Sequence, residues 1–116
     1  MSRCTIEPHK LPHRLRRFLL AHAAGHPDVA LRFFAPAAVV VDRGRTFRGT
    51  DAVATFLAAA AAEPRRATEL IGAEQIDDAH WTATNRLLGD VPGGTADLEY
   101  RFAMTGDLIA ELVIEP

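Results

Sequence analysis

A handful of side chains in this sequence have types and positions that could support chemistry. Asp42 closes the β-branched run Ala38-Val39-Val40-Val41 and precedes Arg43-Gly44, so a carboxylate stands where a strand runs out into a loop. Such a group could act as a general base, or it could be a solvated strand end beside Arg43 and Arg45. Tyr100 is the only tyrosine and alternates with Phe102; its hydroxyl could donate to a substrate oxygen, or it could simply fill the core. Trp81 and Asn85 share one face of a strand-like run, where an indole would stack a flat ligand and an amide would fix a carbonyl or hydroxyl. The competing reading of that pair is core packing with a satisfied amide. His22, on the inner or flanking side of a helix, could exchange a proton near neutral pH or lie on the helix surface. Glu111 is a charge in an otherwise apolar strand, placed outside or at a dimer interface by amphipathicity, though a pocket position is open to it.

Other chemistries are disfavoured. His9, His13, His26 and His80 show no metal-ligand spacing with one another or with a carboxylate, so no metal site is expected. The stretch Asp90-Val91-Pro92-Gly93-Gly94 is followed by neither a lysine nor a helix and is no phosphate loop. Cys4 cannot form an internal disulfide, and its place near the terminus argues against a catalytic thiol. No cofactor is expected.

These residues need elements to hold them. The clearest are the last two apolar runs, Thr95 to Thr105 and Asp107 to Ile114, joined through Gly106. Leu98, Tyr100, Phe102 and Met104 alternate with Asp97, Glu99, Arg101 and Ala103, the period-two pattern of a strand with one buried face. The final run places Leu108, Ala110, Leu112 and Ile114 on one side. Upstream, 67–77 and 80–89 read as two further strands, separated by Asp77-Asp78-Ala79. In the second of these Trp81, Ala83, Asn85 and Leu87 share one face.

Three helices are expected before them. Leu11, Leu15, Phe18 and Leu19 recur at helical spacing, with Gly25 suited to a C-terminal cap and the basic cluster His13 to Arg17 on the solvated side. A second, shorter helix is read as beginning at His26-Pro27-Asp28 and running to about Phe34, with Val29, Ala30, Phe33 and Phe34 inward and Pro36 ending it. Ala52 to Ala62 forms the third, with Thr50 as N-cap, a stripe of Val53, Phe56, Leu57 and Ala60, and a stop near Pro64. Its alanine run suggests close packing on a sheet. Met1 to Lys10 reads as a flexible tail, and 11–116 as one domain. Helices segregated to one face of a mostly antiparallel sheet make the fold class α+β.

The composition bounds the function. A chain of 116 residues, 48% hydrophobic, supports a single core. Thirteen Lys and Arg against fifteen Asp and Glu leave a formal charge of −2, which argues against a nucleic-acid surface. No stretch is apolar enough for a signal region or a bilayer span, and a lone cysteine suits a reducing compartment, so a cytoplasmic protein is expected.

The order of elements, the short strand ending in Asp42, the segment Arg48-Gly49-Thr50-Asp51-Ala52 and the ending Tyr100-Arg101-Phe102 with Gly106-Asp107-Leu108-Ile109 together resemble the nuclear transport factor two-like superfamily. That superfamily includes ketosteroid isomerases and SnoaL-type polyketide cyclases. The resemblance covers about Leu11 to Glu115 and implies a cone-shaped curved sheet wrapped around three helices, an apolar pocket that takes a small-molecule ligand, and a homodimer through the sheet. No nucleic-acid or membrane partner is implied.

Carried over position by position, it puts Asp42 in the place of the ketosteroid isomerases' general base. Their two oxyanion donors fall on Phe18 and Leu98, which offer no polar hydrogen, so isomerisation of steroids in that manner is not expected. Asp42 and Tyr100 are then the expected catalytic pair, with Phe18, His22, Phe56, Trp81, Asn85, Leu98 and Phe102 expected against the substrate. Two functions stay open: a cofactor-free isomerase, dehydratase or cyclase acting on an apolar carbonyl or hydroxyl compound, or a non-catalytic binding or dimerising module.

Overall fold

The computed structural model describes residues 4–63, 67–88 and 95–116. The stop near Pro64 and the glycine-rich turn 90–94 lie outside the described residues.

In chain order the elements are β1 (Cys4–Ile6), a 3₁₀ turn (Pro8–Lys10), α1 (His13–Ala23), α2 (Pro27–Leu31), β2 (Phe34–Asp42), β3 (Arg45–Arg48), α3 (Gly49–Ala62), β4 (Ala67–Asp77), β5 (His80–Leu88), β6 (Thr95–Thr105) and β7 (Leu108–Glu115). The strands form one curved sheet in the order β1-β4-β5-β6-β7-β2-β3, antiparallel except for β2 beside β7. This is the expected α+β architecture, with the helices on one face.

β5 pairs with β6 over its whole length, Trp81 opposite Phe102, Ala83 opposite Tyr100 and Asn85 opposite Leu98. Period-two alternation therefore delivers all six to one face, and Ala83, Tyr100 and Phe102 are buried there. In β7 the register shifts opposite Ala103 and Met104, so Ile109, Leu112 and Ile114 are the buried side chains, where strict alternation would bury Leu108 and Ala110. Glu111 is exposed on the outer face, opposite Ala103.

α1 buries Leu15, Phe18, Leu19 and Ala21. It ends in a Schellman motif: His26 N–H donates to the Ala21 carbonyl and Gly25 N–H to that of His22, with Gly25 at φ 73°. The basic cluster ahead of it is divided. Arg17 is exposed, Arg14 donates to the Asp107 carbonyl at 2.8 Å and lies over the Phe33 ring, and Arg16 turns inward. α3 buries Val53, Phe56 and Leu57, the expected stripe without Ala60.

Several expectations are corrected. Residues 4–10 are no tail: β1 pairs antiparallel with β4, because a strand edge offers unpaired backbone groups to any extended segment within reach. The second helix stops at Leu31, and β2 starts at Phe34 and runs through Pro36, which lies where the pairing of β2 with β7 is interrupted between Phe34 and Val39. Val29 is 41% exposed. Thr50 does not cap α3; its hydroxyl donates to the Pro36 carbonyl at 3.3 Å, and no side chain caps the helix start. The segment 45–48, read only as a lead into the third helix, is β3. Arg43 at φ 48° and Gly44 at φ 89° make the two-residue turn that folds it back on β2, with Asp42 opposite Arg45.

Candidate functional site

A cavity of about 700 Å³ opens between α1, α3 and the inner face of the sheet. Each wall follows from the local folding above. The Schellman cap fixes the last turn of α1, which presents Leu19 and His22. The β2–β3 turn presents Asp42 on one strand and Phe47 on the other. β4, β5 and β6 contribute Leu70, Asn85, Leu98 and Tyr100. Ala59, Ala60 and Ala61 of α3 border the space, so the alanine run leaves room for the cavity where close packing on the sheet was expected.

Asp42 holds the Arg43 guanidinium, Oδ1 to Nε at 3.2 Å and Oδ2 to Nη2 at 3.5 Å. Its side chain is only 17% exposed, against 57% for Arg43. The ring of His22 stacks between Phe18, at 5.6 Å between centroids, and Phe56, at 6.1 Å; Tyr100 meets it edge-on at 6.1 Å. Burial among these rings lowers the His22 pKa, and the Asp42 charge acts against that shift without reversing it. The imidazole is therefore neutral at pH 7, with a free base nitrogen. Tyr100 moves the other way. Burial, reinforced by the Asp42 charge and eased by Arg43, pushes its phenol up to about 12, so it stays protonated and can donate. Among the described residues neither the Tyr100 hydroxyl nor the His22 ring makes a hydrogen bond. A phenol that keeps its proton and has no protein acceptor is available to a ligand oxygen.

Of the residues expected here, Asp42, Tyr100, His22, Phe56, Asn85 and Leu98 line the cavity together. Phe18 and Phe102 do not. Both are fully buried one layer behind it, in edge-to-face contact with each other at 5.9 Å, Phe18 backing His22 and Phe102 backing Tyr100. Trp81 is placed elsewhere: it shares the face of Asn85 but lies at the far end of the strand, bordering a separate groove with Pro12, Met104 and Gly106. Alternation assigns a face, and says nothing of where along that face the space opens.

Among the cavity residues that were not foreseen, three carry ring or charge. Phe47 packs on Phe56 at 5.3 Å, Arg45 lies over the Phe47 ring at 5.5 Å, and Arg16 reaches the wall from α1. The two-residue turn Arg43-Gly44, followed by the alternation Arg45-Thr46-Phe47-Arg48, was the available signal for the first two. Helical periodicity puts Arg16 on the flank of the buried stripe of Leu15, Phe18 and Leu19 and Arg17 nearly opposite it, the available signal for Arg16. Among the described residues no cluster of His, Cys, Asp and Glu could hold a metal ion, and no helix is long and apolar enough to cross a membrane.

No protein-family model and no curated protein sequence matches the chain. Solved structures do. A provisionally assigned polyketide cyclase from Sinorhizobium meliloti is 25% identical with a TM-score of 0.82, covering 95% of this chain and 100% of its own. A ketosteroid isomerase-like protein from Catenulispora acidiphila, solved in complex with trimethylamine, is 17% identical with a TM-score of 0.77 over 90% of this chain and 85% of its own. A nuclear transport factor two-like protein from Cytophaga hutchinsonii is 8% identical with a TM-score of 0.69, over 88% and 85%. The chain has the nuclear transport factor two-like fold, of the SnoaL-like and ketosteroid isomerase-like kind, and a cavity of small-molecule size within it.

Proposed function

We propose that this protein is a cofactor-free acid/base catalyst, an isomerase, dehydratase or cyclase of a largely apolar carbonyl or hydroxyl compound. Asp42 is the general base, and Tyr100, with Asn85, orients the substrate oxygen. The observation that carries this reading is the convergence of Asp42, His22 and Tyr100 on one cavity, with the phenol held protonated and the imidazole held neutral. A protonated donor beside a carboxylate is the minimum for moving a proton next to a carbonyl: the base takes it, and the donor stabilises the developing enolate. The missing donor at Leu98 does not remove this chemistry, because Tyr100 projects from the same face of β6 two residues on.

The test is hydrogen–deuterium exchange of carbonyl compounds in D2O, followed by NMR. Exchange should require the folded protein and fall by about 10²- to 10⁴-fold in Asp42→Asn, with ligand binding retained.

One observation favours a second reading, a non-catalytic binding module: Asp42 is already held by two guanidinium nitrogens of Arg43. If no compound exchanges protons while ligands bind wild type and Asp42→Asn alike, the module stands. A single domain that includes β1, and a homodimer through the outer face of the sheet, are part of this proposal. On that face Val41 and Val113 lie in register, flanked by the ion pair of Arg101 with Glu115. Sedimentation of the purified chain tests the dimer.

A further inference from the structure

We infer that the ligand of this cavity is an anion, a flat apolar body with a carboxylate at one end, read by Arg45 and Arg16. The inference rests on the cavity being the small-molecule site, and adds the class of molecule that fits it.

The first observation is charge without partners. The chain as a whole is acidic, with fifteen Asp and Glu against thirteen Lys and Arg. The cavity lining reverses this: it carries the guanidiniums of Arg16, Arg43 and Arg45 against the carboxylates of Asp42 and Glu63. Asp42 is taken by Arg43, and Glu63 is exposed beyond the end of α3. Among the described residues Arg16 and Arg45 have no carboxylate partner. His9, the other titratable group at the lining besides His22 and Tyr100, faces Glu7 at 3.2 Å.

The second observation is that Arg16 Nε is buried with no hydrogen-bond partner. Among the described residues no protein acceptor fixes the plane of this guanidinium, which leaves its Nη edge, on the cavity side of the sealed Nε, for an incoming acceptor. Planar guanidinium forks match carboxylates with two parallel hydrogen bonds.

The third is an unbroken ring contact from the cationic rim to the polar interior. The Arg45 guanidinium lies over Phe47, Phe47 meets Phe56, Phe56 stacks on His22, and His22 meets the edge of Tyr100. A flat, apolar body suits such a wall, with its acidic end toward Arg45 and a carbonyl or hydroxyl toward Tyr100.

The test compares three probes of one shape and different charge: naphthoate, acetylnaphthalene and naphthylmethylammonium. Each is titrated into the full chain at pH 7, with the ring resonances of Tyr100 and His22 reporting occupancy. Naphthoate should bind roughly tenfold or more tighter than acetylnaphthalene, and the ammonium weakest of all. Its affinity should fall with added salt, and the ketone's should not. Arg45→Gln, at an exposed position that leaves the core intact, should cut naphthoate binding several-fold and spare acetylnaphthalene; Arg16→Gln should do the same if it folds.

The inference is overturned if the neutral ketone binds as tightly as the carboxylate, or if Arg45→Gln weakens both alike. A carboxylate preference without proton exchange on any carbonyl compound leaves the inference standing and removes the catalytic reading. If no probe shifts Tyr100 or His22, the small-molecule site itself fails and both fall together.

Discussion

An aspartate and a histidine meet at two places in this molecule, with opposite consequences. In the turn between β4 and β5, Asp77 Oδ1 accepts from the Ala79 N–H at 2.9 Å and lies 2.7 Å from His80 Nδ1, and the Gln75 amide donates to the Asp77 carbonyl. Asp77, His80 and Gln75 each have a local partner there, and the pair is open to water. In the cavity, His22 and Asp42 arrive from elements far apart in sequence, burial dominates the histidine, and Tyr100 beside them has no protein acceptor. A satisfied pair in solvent holds a turn together. His22 and Tyr100, desolvated and without a protein partner within a cavity, are available to a ligand, and that difference marks the site more clearly than residue types do.

Substitutions can break this contrast. The largest effect should come from exchanging the two carboxylates for amides: Asp42→Asn should lose about 10²- to 10⁴-fold of proton exchange on a competent substrate, and Asp77→Asn essentially none. Equal losses in both would remove the distinction.

Next in size is packing along β6. Phe102 is fully buried behind the cavity, and Phe102→Ala should cost about 3–5 kcal/mol by chemical denaturation. Leu98 already borders open space, so Leu98→Ala should cost only about 1–2 kcal/mol. Similar losses would mean that the cavity collapses in solution.

Tyr100→Phe should change stability by less than about 1 kcal/mol, since the hydroxyl has no protein partner to lose. It should still weaken binding of a neutral ketone such as acetylnaphthalene severalfold. A large stability loss would show a structural hydroxyl.

The smallest effect, and the sharpest discriminator, is pH. The folded His22 value lies below its ordinary 6.5, so the unfolded chain binds more protons in that window. Stability contributed by neutral His22 should be complete above about 6.5 and lost as pH falls toward the depressed folded value; His22→Gln should flatten that slope. Asp77 is held below its ordinary 3.8, chiefly by the hydrogen bond with His80, so its contribution is present above 3.8 and lost only in stronger acid. The two regions thus titrate in separate windows of one denaturation series.

Much of the fold was legible in local pattern. β4 to β7 match the expected runs almost to the residue, because alternation over many positions is a redundant signal. The Gly25 cap was equally plain. β1 and β3 were missed for a shared reason: each is short, and its pairing depends on a partner strand supplied from elsewhere. The overlong second helix has the opposite cause, since Phe33 and Phe34 are apolar enough to suit a helix face and a strand alike.

The sequence by itself determined which face of β5 and β6 is buried, that a carboxylate ends β2, and that one phenol stands on the inner face of β6. Those are statements about period and type, which backbone geometry imposes one residue at a time. The tertiary structure alone decided where the inner face is filled and where it is open. It put Trp81 and Phe102 outside the cavity, brought Arg16 and Arg45 to it, and left His22 neutral among aromatic rings. Cavity, desolvation and unpaired charge are properties of what surrounds a residue. They exist only once elements distant along the chain have closed around one another.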